Sequence, residues 1–188
     1  MKKLKSIALA LVAFVSFATT AQTTKKVDAS KSTINWVGKK VTGSHEGTIT
    51  LKEGALIFKG KKVVGGNFTV DMTTINTTDL EGKGKANLDG HLKSDDFFGV
   101  EKFPTATLVF KSIGEKGNGV YAVTADLTIK GKTESIKFDL TVAGNTASTT
   151  LKVDRTKYDI KYGSGSFFSD LGDKTIYDDF ELTVKLAI

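Results

Sequence analysis

Apolar and polar residues alternate over several long stretches of the chain, and this alternation predicts most of its structure. Because successive side chains of an extended strand point to opposite faces, each stretch is typical of a strand with one buried face and one solvent-exposed face. Three stretches follow the pattern almost without interruption, at residues 121–129, 136–142 and 180–188. Long one-sided strands of this kind close into a barrel or a sandwich, and a barrel has an interior that can hold a ligand.

Less regular stretches extend the set to about eight or nine strands. Glu53–Gly54 is expected to be a turn that joins two of them, residues 45–52 and 54–59, into a hairpin. Only residues 79–98 break the pattern, because their leucines are spaced as in a helix. The predicted fold class is all-β: an antiparallel barrel of about eight strands with a helical insertion near residues 79–98. The other predicted strands cover residues 26–41, 63–75, 105–113, 119–130, 132–143, 148–154 and 176–188.

The first 21 residues are predicted to be a secretory signal peptide. Three lysines within residues 1–5 precede an uncharged apolar run at residues 7–17, and small residues follow. We expect cleavage after Ala21, with Ala18 as the alternative. The run is too short to span a bilayer as a helix, and no later run is longer, so no transmembrane segment is expected. The chain has no cysteine and therefore no lipid-anchoring site, and the mature protein is expected to be periplasmic or secreted.

The mature chain is predicted to form one domain over residues 27–188, preceded by a loose segment at residues 22–26. Without the three lysines of the leader, 24 basic residues face 21 acidic ones, a net charge of about +3. The lysines are scattered along the chain. Nucleic-acid binding requires clustered basic residues with interleaved aromatics, so no nucleic-acid partner is expected.

No catalytic or metal-binding set emerges from the motifs. The glycine string at residues 82–85 lacks the spacing of a phosphate-binding loop, and no serine lies in a nucleophile elbow. His91 lies near Asp95 in the insertion, but the mature chain has one other histidine, His45, so neither a metal site nor a cofactor is predicted. We expect Asp95 to cap or turn its segment and His91 to hydrogen-bond a strand end.

One segment carries a specific resemblance. Residues 89–104, Asp-Gly-His-Leu-Lys-Ser-Asp-Asp-Phe-Phe-Gly-Val-Glu-Lys-Phe-Pro, resemble the signature segment of the YceI-like family, although Gly99 stands where aspartate is common. Residues 127–133 are similar to the family's hairpin, and residues 153–158 resemble a later motif. The similarity extends over residues 27–188. It implies a lipocalin-like barrel, a periplasmic location and an elongated apolar cavity for long isoprenoid chains such as polyprenyl diphosphates or quinones; it also implies a homodimer.

The predicted function is non-enzymatic binding, carriage or storage of a long-chain lipid, an isoprenoid or quinone-like partner. The alternative is a structural or interaction protein of the envelope whose barrel is filled. Phe97, Phe98 and Phe103 are expected to shape a lid or wall. Arg155, the single arginine, is expected to bind an anionic head group or to pair with a carboxylate of a neighbouring strand. The candidate ligand-binding residues, for which core packing is the alternative role of the apolar ones, are Trp36, Phe68, Val70, Phe97, Phe98, Phe103, Phe110, Tyr121, Val123, Leu127, Phe138, Leu140 and Arg155.

Overall fold

The computed structural model describes residues 21–188, and β-strands make up most of that part of the chain. One helix, α1 (Gly82–Lys93), follows the fourth strand, and 3-10 turns at Arg155–Tyr158 and Gly172–Lys174 precede the last. The strands, numbered in chain order, are β1 (Gln22–Lys26), β2 (Asp28–Lys40), β3 (Gly43–Lys59), β4 (Lys62–Thr77), β5 (Thr105–Gly117), β6 (Val120–Ile129), β7 (Lys132–Ala143), β8 (Thr146–Asp154) and β9 (Ile176–Ala187).

Eight of the strands form a closed antiparallel ring. From β2 onwards each strand pairs with the next, and β9 pairs back with β2. The predicted all-β lipocalin-like barrel with a helical insertion is therefore confirmed. Closure has a physical basis, because it leaves few strand edges without backbone partners and turns every apolar strand face towards one interior.

Residues 22–26 are a strand and not the loose segment that was expected. They form β1, which pairs with the end of β3 from Gln22↔Lys59 to Lys26↔Ala55. All five side chains of β1 are exposed. The strand is thus held by backbone pairing and not by an apolar face, which is why hydrophobic patterning missed it.

The turn expected at Glu53–Gly54 is also wrong. Strand β3 runs unbroken from Gly43 to Lys59, and its pairing with β4 only shifts by a bulge between Leu51 and Glu53. A side chain at Gly54 would place its Cβ 2.4 Å from the Phe68 ring of β4. The glycine therefore marks a close approach between neighbouring strands, which glycine inside a strand often does.

Helix α1 is tied to the end of β4 by a small polar network. The Asp89 carboxylate accepts a hydrogen bond from the Thr77 backbone N–H at 2.8 Å and one from Lys85 Nζ at 2.9 Å. Lys85 also donates to Asn76 Oδ1 and to the Thr77 carbonyl, both at 2.6 Å. With Leu92 buried beneath it, the helix covers one end of the barrel.

The barrel has two ends that differ in their connections. The helix end carries α1, the segment that follows it and the β8–β9 connection; the turn end carries the β3–β4, β5–β6 and β7–β8 turns. Each end holds a cluster of buried residues, with Met72, Phe97 and Tyr158 in the first and Leu56, Phe58 and Tyr121 in the second. Half-buried residues that pack against both clusters mark the middle of the barrel: Ile49, Val70, Leu108, Ile136, Phe138 and Leu182.

Within residues 21–188, no helix has the length and apolar character needed to cross a bilayer. Residues 1–20, which hold all but the last residue of the predicted signal peptide, lie outside the described residues.

Candidate functional site

A cavity lies in the middle of the barrel, between the two buried clusters. Its volume is about 180 Å³, counted as the space that the centre of a water molecule can occupy. That is far more space than a single water needs. All eight barrel strands and α1 contribute to its lining, which is apolar apart from Lys39, Thr149, Arg155, Tyr177 and Asp179.

Aromatic rings line part of the cavity wall. Phe68 of β4 and Phe110 of β5 have ring centroids 5.6 Å apart, and Phe110 and Phe138 of β7 have centroids 5.9 Å apart. Between β5 and β7 lies β6, where the fully buried Ala125 pairs with Phe110 on one side and Ile136 on the other. Because Ala125 is small, the rings from the strands on either side meet above it.

A second group of rings closes the cavity at the helix end. Phe97 and Phe98, from the segment after α1, lie 5.2 Å apart, and Phe98 is 6.3 Å from Phe180 of β9. Both phenylalanines are buried and line the cavity. They form one end wall of the cavity, and their role as a lid stays a prediction.

His91 does not hydrogen-bond a strand end, so that prediction is wrong. Its Nε2 is buried without a hydrogen-bond partner among the described residues, and its ring packs edge-on against Tyr162 at 4.4 Å and Phe97 at 5.5 Å. Asp95 pairs with Lys102 at 2.5 Å, and its carbonyl accepts a hydrogen bond from Lys130. Residues 21–188 contain no group of three or more potential metal ligands.

Arg155 is buried at the helix end and holds the β8–β9 connection in place. Its Nε donates to the Tyr177 carbonyl at 3.1 Å, Nη1 to the Ile160 carbonyl at 2.8 Å and Nη2 to the Ile176 carbonyl at 3.0 Å. The Asp178 carboxylate lies 3.6 Å from Nη2. Three of the five guanidinium N–H groups are thus used by backbone carbonyls, and the Asp178 carboxylate lies beside Nη2, which carries one of the two remaining hydrogens.

The charges around Arg155 persist at neutral pH. Burial lowers the pKa of Arg155, while Asp178 and Asp154 oppose that shift. Burial raises the pKa of Asp178, but hydrogen bonds from Ser164 and Ser166 and the charge of Arg155 outweigh it, so the pKa lies below its ordinary value. Burial also raises the pKa of Tyr158 to about 12, which leaves its hydroxyl neutral. A charged pair, with Arg155 buried and Asp178 half-buried, therefore lies beside the mainly apolar cavity.

The cavity reaches the barrel wall where β2 and β9 pair irregularly. Gly38 pairs with Phe180, but Lys40 pairs with Ile176, so β9 carries extra residues at this bulge. A Cβ at Gly38 would meet no atom within 4 Å, so the space there is open. We call this region the polar mouth, and it consists of Gly38, Lys39, Tyr177 and Asp179.

Most of the candidate residues from the sequence lie around the cavity. Phe103 is not among the lining residues and packs over Gly131 in the β6–β7 turn, and Tyr121 and Val123 are buried in the turn-end cluster. Contact of any of the thirteen with a ligand stays a prediction. The ten that line the cavity are Trp36, Phe68, Val70, Phe97, Phe98, Phe110, Leu127, Phe138, Leu140 and Arg155.

Sequence reasoning missed two kinds of lining residue. Phe180, Leu182 and Val184 of β9 line the cavity and lie in one of the three clearest alternating stretches, so their pattern was sufficient to include them. The polar mouth had no comparable signal, because its residues face the cavity only through an irregular pairing of β2 with β9.

A closed antiparallel barrel around a narrow apolar cavity with one polar end defines a lipocalin-like barrel with an internal site. The chain belongs to the YceI-like domain family, whose model matches residues 26–188. The resemblance stated from the signature segment is thereby confirmed.

Curated relatives match part of the chain. A UPF0312 protein of Shewanella denitrificans is 38% identical over 84 residues, which are 45% of this chain and 42% of the relative. A UPF0312 protein of Staphylococcus aureus is 42% identical over 71 residues, 38% of each chain. The chain thus spans less than half the length of these relatives.

Solved structures share the fold over most of the chain. BcnA of Burkholderia cenocepacia has a TM-score of 0.65 at 25% identity and covers 86% of this chain and 99% of its own. A polyisoprenoid binding domain from Saccharophagus degradans, implicated in plant cell wall breakdown, has a TM-score of 0.58 at 15% identity, covering 86% and 95%. A Campylobacter jejuni YCEI protein has a TM-score of 0.55 at 17% identity, covering 100% and 98%. The last two show likeness of fold alone.

Proposed function

We propose that the protein binds a long-chain lipid, an isoprenoid or a prenylated quinone, in the barrel cavity and carries or stores it without changing it chemically. The observation that carries this proposal is the cavity itself, which has apolar walls from all eight barrel strands and polar groups concentrated at one end. Such a site matches a ligand with a long hydrocarbon part and one polar end.

The energetics favour a hydrocarbon occupant over water. Water inside the cavity would find few hydrogen-bond partners along walls made of side chains such as Leu108, Phe110 and Leu182. Each buried methylene group contributes about 0.8 kcal/mol. A tail of several prenyl units therefore offsets the cost of association, about 4–15 kcal/mol, without a strong polar contact.

The polar mouth and Arg155 are the groups that would meet the head of the lipid. Lys39 lines the mouth and pairs with Glu181 Oε1 at 2.9 Å, and Arg155 retains two guanidinium hydrogens that are not used by backbone carbonyls. Cationic groups in this position favour a diphosphate or a quinone carbonyl. The description of the Saccharophagus degradans domain as polyisoprenoid binding supports the same class of tail.

The alternative function is a structural or interaction protein of the envelope with a filled barrel. The cavity between the two buried clusters disfavours a solid interior. The predicted signal peptide supports a periplasmic or secreted location, where the protein would meet envelope lipids. A homodimer stays a prediction.

Lipid analysis of the native protein tests the proposal. We expect organic extracts of protein purified without detergent to contain an isoprenoid or quinone by mass spectrometry. Trp36 is the single tryptophan and lines the cavity, so added ubiquinone should quench its fluorescence. Added solanesol should raise the melting temperature of the protein. Trp36→Phe removes the optical signal and serves as the control for absorbance and scattering. A chain that neither carries nor takes up a long lipid would overturn the proposal.

A further inference from the structure

The barrel wall is incompletely paired between β7 and β8. Only Thr141↔Ser148, Val142↔Ala147 and Ala143↔Thr146 connect the two strands, next to the turn that joins them. On their other sides both strands are paired along their length, β7 with β6 and β8 with β9. We call the unpaired stretch, residues 132–140 of β7 facing residues 149–154 of β8, the β7–β8 gap.

One side-chain hydrogen bond crosses the gap. The Thr149 hydroxyl donates to the Asp139 carbonyl at 2.7 Å. Because alternate residues of a strand direct their backbone groups to the same edge, the N–H and C=O of Ser135 and Lys137 also point towards β8. Within residues 21–188 these groups have no strand partner on that side.

The gap lies between the cavity and the outer surface of the barrel. Leu140 and Phe138 of β7 and Thr149 and Leu151 of β8 line the cavity on either side of it. Phe138 also lines a depression on the outer surface, together with Lys137, Asp139 and Thr150. The Phe138 side chain faces the cavity and its neighbours Lys137 and Asp139 face the depression, so a single strand separates the two spaces here.

The cavity is also open at the polar mouth, which we assign to the polar head of the lipid, but the two ends of the barrel are filled. Phe97 and Phe98 cover the helix end, and Leu56, Phe58 and Tyr121 fill the turn end. Passage along the barrel axis would displace one of these buried layers. Separation of any other pair of neighbouring barrel strands would break a ladder of at least five residue pairs, as between β4 and β5.

We propose that the β7–β8 gap is the lateral route by which the lipid tail enters and leaves the cavity. The hydrogen bond from Thr149 to the Asp139 carbonyl holds this route closed. The inference rests on the proposed function and adds the path of exchange to it. The tail slips sideways between two strand edges that have no backbone hydrogen bonds to each other, while the polar head stays near the polar mouth.

A reversible crosslink across the gap tests the route. Continuation of the β7–β8 register brings Asp139 opposite Thr150, so Asp139→Cys with Thr150→Cys is the locking pair, closed by oxidation or by a short bis-maleimide. The chain has no native cysteine to interfere. The matched control is Thr124→Cys with Lys137→Cys, a pair already joined in the β6–β7 ladder. Uptake of ubiquinone from phosphatidylcholine vesicles is followed by stopped-flow quenching of Trp36.

We expect the locked protein to load at least about tenfold more slowly than wild type, because exchange elsewhere must break several backbone hydrogen bonds. Final occupancy should be unchanged, reduction of the disulfide should restore the rate, and the control pair should load normally. Thr149→Val, which keeps the shape and removes the hydroxyl, should speed uptake and release about fivefold.

Two outcomes would overturn the inference, and they are distinguishable. If wild type loads and the locked protein loads equally fast, the tail enters elsewhere, for example at the polar mouth, and the proposed function survives. If wild type itself takes up no ubiquinone and no solanesol, the proposed function fails and the lateral route fails with it.

Discussion

Trp36 fits into the barrel wall because the residue opposite it is a glycine. Trp36 pairs with Gly47 of β3, and its indole N–H donates to the Thr48 carbonyl at 3.2 Å. A Cβ at Gly47 would lie 2.0 Å from the Asn76 carbonyl oxygen and 2.5 Å from the indole ring. Neither neighbour can move freely, so the absence of a side chain at Gly47 is a packing requirement.

Gly47→Ala and Gly38→Ala form a matched pair that tests this requirement. We expect Gly47→Ala to lower the free energy of unfolding by about 2 kcal/mol, since overpacking a filled site costs about 1–3 kcal/mol. Gly38→Ala, at a position with no atom within 4 Å of the added Cβ, should be neutral or slightly stabilising. Urea unfolding followed by circular dichroism measures both, and equal losses would contradict the packing argument.

Arg155 shows the limit of inference from a single residue. The predicted carboxylate of a neighbouring strand is present, because Asp178 of β9 lies 3.6 Å from Nη2, but the three hydrogen bonds of the guanidinium go to carbonyls of Ile160, Ile176 and Tyr177. The planar fork of an arginine can reach acceptors in several directions at once, which lysine cannot do. Ile160 lies in the β8–β9 connection, and Ile176 and Tyr177 begin β9. Every residue has a backbone carbonyl, so no residue pattern indicates which ones an arginine reaches.

Helix α1 depends on a few polar contacts, because only Leu92 is buried among its residues. Burial raises the pKa of Asp89, but the hydrogen bonds from Lys85 and Thr77 outweigh it, so the pKa lies below its ordinary value. A lowered carboxyl pKa contributes stability above the unfolded value of about 3.9, and that stability is lost as the pH falls through the folded value.

Asp89→Asn is expected to reduce the free energy of unfolding at pH 7 by about 1 kcal/mol, the scale of one partly buried charged hydrogen bond. The difference from wild type should be smaller at pH 3, because below the unfolded value of about 3.9 the lowered pKa of Asp89 contributes less stability. Urea unfolding at both pH values measures the two differences. A deficit that is the same at pH 3 and pH 7 would show that the charge of Asp89 does not hold the helix.

Strands with an apolar face were predictable, and strands without one were not. Lys132–Ala143 and Ile176–Ala187 coincide with predicted alternating stretches to within a residue. β1 has five exposed side chains, and β3 passes through a glycine that resembles a turn signal. Both misassignments arise because backbone pairing and strand contact depend on partners distant in sequence.

At the level of the barrel, inward residues of the same type occupy different surroundings. Val70 of β4 is half-buried and lines the cavity, whereas Val153 of β8 is 1% exposed and belongs to the packed helix-end cluster. Both lie on inward faces of alternating strands. Their difference comes from the cross-section of the barrel, which leaves space in the middle and none near its ends.

The same enlargement at these two valines should have opposite consequences. We expect Val70→Phe to leave the free energy of unfolding unchanged or to raise it by about 0.5–2 kcal/mol, as cavity-filling substitutions do. It should also weaken ubiquinone binding at least about tenfold. Val153→Phe should lower the free energy of unfolding by about 1–3 kcal/mol, because its site is full.

Thermal and urea unfolding, together with Trp36 quenching by ubiquinone, distinguish the two valine variants. If Val70→Phe destabilises the barrel as much as Val153→Phe, the middle of the barrel is as tightly packed as its end, and the cavity offers no room for a tail.

Alternation of side chains along an extended backbone is a local property, so most of the barrel strands with their approximate bounds, the helical insertion and the apolar interior were predictable from the sequence alone. The signature segment at residues 89–104 was sufficient to indicate the family. The cavity, the polar mouth and the β7–β8 gap arise only when eight strands tilt, pair and close into one ring. Where a ladder ends or bulges depends on the fit of residues that are far apart in the chain, and that fit exists only in the assembled barrel.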